Sequence, residues 1–421
     1  MTHYTTPRGT KDILPNESGC WQHIENTSKS IFNAYNYKEI RTPIFETTDL
    51  FTRGIGNDTD IVEKEMYTFT DKKNRSLTLR PEGTAPIARS YIQNGFHKTS
   101  PLSKLFYIGP MFRYERPQSG RFRQFHQIGI EHIGSHHPFA DAEVIALGIH
   151  LFDALGLSNL SVQINTVGCQ VCRPVVEERL KQFIQNNLNA LCTDCQNRFN
   201  AKPLRILDCK NKTCQTYFAG IPDIKTSICQ ECDDHFNQVL EYIDTLGISF
   251  KINPKLVRGL DYYNRTTFEI VSNQLGAQNA ICGGGRYDGL IKQLGGKDTP
   301  AVGLAFGIER MVMMLQSIEQ SMQPNDHLDV FIAPEELPHR IQGFTILNQL
   351  RRAGIKSDMD YTKGLLKQQL KQANKHKAKF VVIINNETSK KRVIVKHMST
   401  GEQTIVMQHK VTELIQTQIN V

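Results

Sequence analysis

Between Phe106 and Gly134 the chain reads FYIGPMFRYERPQSGRFRQFHQIGIEHIG. Its middle carries Arg113, Arg116, Arg121 and Arg123, interleaved with Tyr114, Phe122 and Phe125, and Glu115 is the only acid among them. Guanidinium forks bind phosphate and carboxylate through paired charge-assisted hydrogen bonds, and Phe125 can stack on a purine. Taken alone, the residues allow either a phosphate site or a solvated basic hairpin. A second cluster is sulfur. Eight of the ten cysteines fall between Cys169 and Cys232. Cys169-x-x-Cys172 and Cys192-x-x-Cys195 are 19 residues apart, a zinc-ribbon-like spacing that leaves Cys209, Cys214, Cys229 and Cys232 as a second set. In a reducing compartment zinc is favoured over disulfides, the alternative being thiols packed as small hydrophobes. A third pattern is basic: Lys363, Lys367, Lys371, Lys375 and Lys379 recur at every fourth residue. On a helix they sweep one flank, with Leu366, Leu370 and Ala373 facing a core. Such a stripe is either a solvated face or a phosphate-binding surface.

These residues need elements to hold them. Pro117 and Gly120 mark a turn, so the arginine-rich segment is expected to be two antiparallel strands joined by a basic loop. Helical periodicity covers Glu17–Tyr35 and Ala140–Leu155, and short strands are expected at 65–70, 76–80, 105–108 and 127–133. The cysteine-rich stretch from Gly168 to about Leu246 is helical in pattern. A polar run between Gln316 and Leu328 reads as a linker. Beyond it, strands (328–333, 355–359, 380–384, 391–397) and helices (337–353, 365–375) predict a compact α/β unit.

Composition sets the limits. Of 421 residues, 39% are hydrophobic and 22% charged, which excludes a largely disordered chain. No apolar run approaches the 18 residues of a membrane span, and MTHYTTPRGTKDILP lacks a signal peptide's apolar core, so a cytoplasmic protein is expected. The net charge of +8 is unevenly placed. Residues 327–421 hold 15 Lys+Arg and 8 Asp+Glu, so this tail carries nearly all the excess. An anionic partner such as RNA suits it.

Phe112, Arg113 and Glu115, followed by Arg123–Phe125, resemble motif 2 of the class II aminoacyl-tRNA synthetases. AVGLAFGIER (Ala301 to Arg310) resembles motif 3, and Arg41, Thr42 and Pro43 in YKEIRTPIFE resemble the motif 1 strand. LVRGLDYYNRTTFEI (Leu256 to Ile270), GGGRYDGL (Gly283 to Leu290), PRGTKDILP and LTLRPEGTAPIAR (Leu77 to Arg89) resemble blocks of the histidyl-tRNA synthetases. The resemblance covers nearly the whole chain except the cysteine-rich middle.

It implies an α+β fold: a class II catalytic core over 1–325 with an antiparallel sheet flanked by helices, a mostly helical insertion at 168–246, and a C-terminal α/β anticodon-binding domain at 327–421. It implies that histidine is activated by ATP and passed to its tRNA. Arg113 would bridge the α-phosphate and the substrate carboxylate, and Arg258 would neutralise the α-phosphate from the other side. Arg310 would hold the γ-phosphate, with Glu115 and Phe125 on the adenine. For L-histidine the resemblance implies Glu131 and the tyrosines Tyr262 and Tyr263, with Gln127 nearby and Glu82 and Thr84 at the α-amino group. Arg116 and Gln118 are candidates for the tRNA acceptor stem. Mg2+ should accompany ATP, motif 1 implies a homodimer, and structural zinc is left open. GGGRYDGL is expected to shape the pocket floor. Two rivals are a non-aminoacylating paralogue, such as the partner subunit of ATP phosphoribosyltransferase, and a zinc-dependent nucleic-acid-binding protein.

Overall fold

A computed structural model describes residues 3–56, 59–117, 120–218, 220–221, 223–272, 280–318, 327–362, 364–386 and 391–419. Gln118, Lys363 and most of the expected linker lie outside the described residues. The chain divides into two compact units, 1–322 and 323–421.

The first unit is built on an eight-stranded sheet. Its order is Lys38–Glu39, Ser103–Phe112, Gln124–Ile133, Ala301–Gly307, Ala280–Arg286, Asn264–Ser272, Leu160–Thr166 and Phe250–Ile252. The six inner strands pair antiparallel and the two edge strands pair parallel. Alternation along the strands decides which face is which. Ile128, Ile130, Val302, Leu304, Phe306, Phe268 and Ile270 point into one hydrophobic core. The helices Pro15–Ala34, Pro138–Ala154 and Ile308–Ile318 pack there, the first through Trp21, Ile24 and Phe32. Each such side chain, fully buried, contributes roughly 1.5–3 kcal/mol. The opposite face carries Gln127, Gly129 and Glu131, paired in register with Gly307, Ala305 and Gly303. Small residues there leave a trough above the sheet.

Two expectations need correction. Glu65 ends a π-helical turn, Ile61–Glu65, so the strand expected from 65 begins at Thr68. Thr68–Thr70 and Ser76–Leu79 join Phe45–Thr47 in a separate three-stranded sheet. Arg41–Pro43 likewise lie past the two-residue strand Lys38–Glu39, not within a strand.

Between Leu160–Thr166 and Phe250–Ile252 the chain leaves the sheet as an insertion. Its helices are Arg173–Gln185, Thr193–Ala201, Lys212–Tyr217 and Gln230–Thr245, and no strand occurs among its described residues.

In the second unit the sheet order is Ser357–Met359, Val330–Pro334, Phe380–Ile384, Arg392–His397 and Gln403–Met407. The first three strands run parallel, as βαβ crossovers require, and the last two antiparallel. Helix His339–Arg352 buries Ile346, Leu347 and Leu350 against it. The edge strand Gln403–Met407 and helix Val411–Ile419 were not expected from sequence. The lysine stripe is shorter than expected. Helix Leu366–Lys375 exposes Lys367, Lys371 and Lys375 and packs Leu366, Leu370 and Ala373 inward. Lys379 lies beyond its end and pairs with Asp329 at 3.2 Å.

Candidate active site

The arginine-rich segment forms the expected hairpin, in register from Ser103 opposite Ile133 to Phe112 opposite Gln124. At its mouth opens a cleft of about 430 Å3, the size of a small-molecule site. Arg113, Glu115, Phe125, Gln127, Arg258 and Arg310 all line it, although they come from four separate segments. Arg113 lies 3.8 Å from Glu115 and 5.3 Å above the Phe125 ring, and its Nε donates to the Pro81 carbonyl at 2.8 Å. Glu115 also takes an ion pair from Arg121 at 3.3 Å. Arg310 donates to the Ala280 carbonyl at 2.6 Å. Burial, with Arg121 adding repulsion, lowers the Arg310 pKa, and Glu269 partly offsets this.

Arg258 projects over the sheet and pairs with Glu269. Burial works against its charge, but Glu269 and Tyr263 outweigh this and hold its pKa above the usual value. Gly283 makes the position possible, since a Cβ there would stand 2.1 Å from the guanidinium. Gly303 does the same for Glu131, where a Cβ would come within 2.1 Å of Oε2. Glycine thus clears the space that two charged groups occupy.

Deeper in the trough Glu131 is almost wholly buried, with 2% of its surface exposed. One oxygen accepts from the Thr84 hydroxyl at 2.7 Å and the other from the Tyr287 hydroxyl. Burial pushes its carboxyl up to about 8, against the lowering pull of these hydrogen bonds. Glu82 accepts the backbone amides of Thr84 at 2.7 Å and Ala85 at 2.9 Å, and Tyr262 lies 3.5 Å away. Here too burial raises the pKa and the amides oppose it. Tyr263 stacks near Tyr262 at 4.8 Å between ring centroids, and burial lifts its hydroxyl to about 12. Gln127 accepts from Tyr107 at 3.2 Å. Arg116 is exposed on the loop, outside the cleft lining.

Sequence reasoning missed several members. Tyr287 and Tyr107 were not singled out, yet Tyr287 bonds Glu131 directly. Arg205 and Asp208, from the insertion, reach the cleft wall. Glu309 accepts the His126 amide at 2.8 Å and ties helix Ile308–Ile318 to the hairpin. Arg286 of GGGRYDGL does not reach the cleft. It is fully buried, paired with Asp141 and, at 3.0 Å, with Asp288. The cysteines also regroup. Cys169 and Cys172 meet Cys229 and Cys232, while Cys192 and Cys195 meet Cys209 and Cys214. The chain folds back between the pairs, so consecutive CxxC pairs do not share a site.

The histidyl-tRNA synthetase family matches residues 9–311, and an anticodon-binding domain family matches residues 339–418. A histidine–tRNA ligase of Halothermothrix orenii is 49% identical over 97% of this chain and 98% of its own. One from Moorella thermoacetica is 48% identical over 94% of each. Among solved structures, the apo histidyl-tRNA synthetase of S. aureus superposes with a TM-score of 0.83 at 38% identity. That likeness covers 98% of this chain and 100% of that one.

Proposed function

The chain belongs to the histidyl-tRNA synthetase family, and we propose that its glycine-floored trough is where histidine and ATP meet. As a class II histidine–tRNA ligase it joins histidine to ATP as histidyl-adenylate and transfers the histidyl group to tRNA. The observation that carries the site assignment is Glu131, buried on the sheet face that also bears Gln127, which lines the cleft together with Arg113 and Arg258.

A histidine ring offers one donor and one acceptor nitrogen. Glu131 and Tyr263 would take them, with Gln127 beside the ring and Glu82, Thr84 and Tyr262 around the α-amino group. Glu131 is already oriented by Thr84 and Tyr287, so little ordering is left for binding. An analogue without ring nitrogens would leave buried polar groups unpaired, which is the basis of strong discrimination.

In the first step the histidine carboxylate attacks the α-phosphorus and pyrophosphate leaves. No strong nucleophile has to be made, so catalysis rests on positioning and on stabilising charge. Arg113 would bridge carboxylate and α-phosphate, and Arg258 would meet the α-phosphate from the opposite side. Arg310 would hold the γ-phosphate, while Glu115 and Phe125 take the adenine; Arg113 now rests on the Phe125 ring and would swing off it. ATP is used with Mg2+, which is carried largely by phosphate oxygens and water. The partly exposed carboxylate of Glu269 in the cleft fits a share of that role. In the second step the terminal adenosine of tRNA takes the histidyl group and AMP leaves.

Residues 1–325 would serve as the catalytic domain, 168–246 as its insertion and 327–421 as the anticodon-binding domain. Arg116, exposed on the basic loop, and Gln118 would meet the acceptor stem. Structural zinc belongs to the insertion, supported by its two four-cysteine clusters. A homodimer is supported by apolar side chains left exposed beside Pro43, namely Ile44, Phe45 and Phe69, and sedimentation should give about twice the chain mass. No described helix is long and apolar enough to cross a membrane, and the cytoplasm is the compartment we propose for this activity.

The test is histidine-dependent exchange of pyrophosphate into ATP. Glu131→Ala should abolish it, and near-normal exchange by that variant would remove Glu131 from the site.

A further inference from the structure

We propose that the insertion holds two mononuclear zinc ions, in Cys169/Cys172/Cys229/Cys232 and Cys192/Cys195/Cys209/Cys214, which fix Arg173 and Arg205 against the loop bearing Arg258. This rests on reading the insertion as zinc-bearing, and it adds the number of ions, their partners and their link to catalysis.

The sulfur geometry carries the first part. Within each set the four ligand atoms lie within 4.8 Å of one another. Cys169 and Cys172 are 3.6 Å apart, Cys172 and Cys232 3.9 Å, and Cys192 and Cys209 3.7 Å. A zinc ion with four thiolates at about 2.3 Å places its sulfurs roughly 3.8 Å apart. A multi-iron cluster would hold its cysteines further apart. Backbone amides also point at the sulfurs: Cys229 N to Cys172 Sγ at 3.0 Å, Cys192 N to Cys214 Sγ at 3.2 Å, and Asn211 N to Cys209 Sγ at 3.4 Å. Donors of this kind support metal-bound thiolates from outside the ligand set. Cysteines that merely fill space are dispersed among hydrocarbon side chains. Cys20 and Cys282, in the main core, are of that kind. Among its described residues the insertion has no strand, and its apolar cluster counts Cys195, Cys209 and Cys214 among its own members, the situation in which a structural metal supplements a core.

The second part follows from which residues adjoin the ligands. Arg173 directly follows Cys172 and approaches the carbonyls of Asp261 at 3.4 Å and Tyr263 at 3.5 Å. On the other side, the 3-10 turn Pro203–Asp208 ends at Cys209, and its Arg205 donates to the Arg258 carbonyl at 2.8 Å. Lys202 pairs with Asp261, and Arg198 reaches Asp60 at 2.8 Å. The loop carrying Arg258, Tyr262 and Tyr263 is therefore held through its backbone by residues adjacent to both cysteine sets. Arg173 and Arg205 act as positioning residues.

Metal analysis of the full-length protein, purified without chelator, should give close to two zinc ions per chain. The paired substitutions Cys192→Ser with Cys195→Ser, or Cys229→Ser with Cys232→Ser, should each leave one. A content near one in the unmodified protein overturns the two-site assignment, and under a tenth of an equivalent overturns zinc altogether. The coupling is read on Arg205→Met, which leaves all ligands in place. Its zinc content should stay at two while the KM for histidine in pyrophosphate exchange rises about tenfold, with partial rescue by Arg205→Lys. An unchanged KM overturns the coupling and leaves the zinc count standing. Failure of the active-site reading would show separately, as exchange indifferent to histidine in the unmodified protein.

Discussion

Glu131 concentrates the residue-scale chemistry, because the carboxylate proposed to recognise histidine sits where charge is costly. With its pKa near 8 it is mostly protonated at neutral pH, since burial outweighs the Tyr287 and Thr84 hydrogen bonds. An imidazole N–H is bound better by the ionised form, so affinity for histidine should rise as pH climbs through about 8. Equilibrium titration with histidine checks this, and Glu131→Gln should flatten that part of the profile. Arg286 makes a contrasting case. It is buried with Asp141, whose pKa it holds well below the usual carboxylate range despite burial. Arg286→Met should cost about 3–5 kcal/mol in denaturant unfolding, because Asp141 would keep a buried charge without its main partner. Glu131, Arg113 and Arg258 could be singled out as candidates from sequence because each stands in a distinctive motif. Tyr287 was not, since the direction of its phenol depends on strand pairing. Nor could GGGRYDGL reveal that Gly283 faces the cleft while Gly284 and Arg286 turn the other way, into the core.

At the scale of elements, the strand-by-strand alternation matters more than any single side chain. Gly303 lies opposite Glu131 in the ladder, and Gly283 lies under Arg258. Gly303→Ala should therefore displace the Glu131 carboxylate and raise the KM for histidine by about tenfold or more, measured in pyrophosphate exchange. A KM within a factor of two of the unmodified enzyme would mean that the strands yield easily. The hairpin and two of the core helices, Pro15–Ala34 and Pro138–Ala154, were readable from periodicity, because each buries one regular face. The cysteine sets were not. Spacing identifies CxxC pairs, but the path of the chain decides which pairs meet, and helix Gln230–Thr245 returns Cys229 and Cys232 to the start of the insertion. The edge strand Gln403–Met407 escaped for a related reason, being short and largely exposed.

For the molecule as a whole, charge and catalysis are divided along the chain. The tail carries 15 Lys+Arg against 8 Asp+Glu, and helix Leu366–Lys375 exposes three of those lysines. Lys367→Ala with Lys371→Ala should weaken tRNA binding at low salt and reduce its salt dependence, while pyrophosphate exchange without tRNA stays unchanged. Filter binding across a salt series reads both. The first unit, by contrast, places a few arginines around its cleft, and among them Arg258 is secured jointly by Gly283 and by Arg205 of the insertion. The direct measurement is pyrophosphate exchange by Arg258→Met at saturating histidine and ATP. Its rate should fall on the order of 10²–10³-fold, as for other groups that stabilise charge developing in a transition state, with the KM for histidine changed far less. A rate close to that of the unmodified enzyme would contradict the assignment of Arg258 to the reacting phosphate.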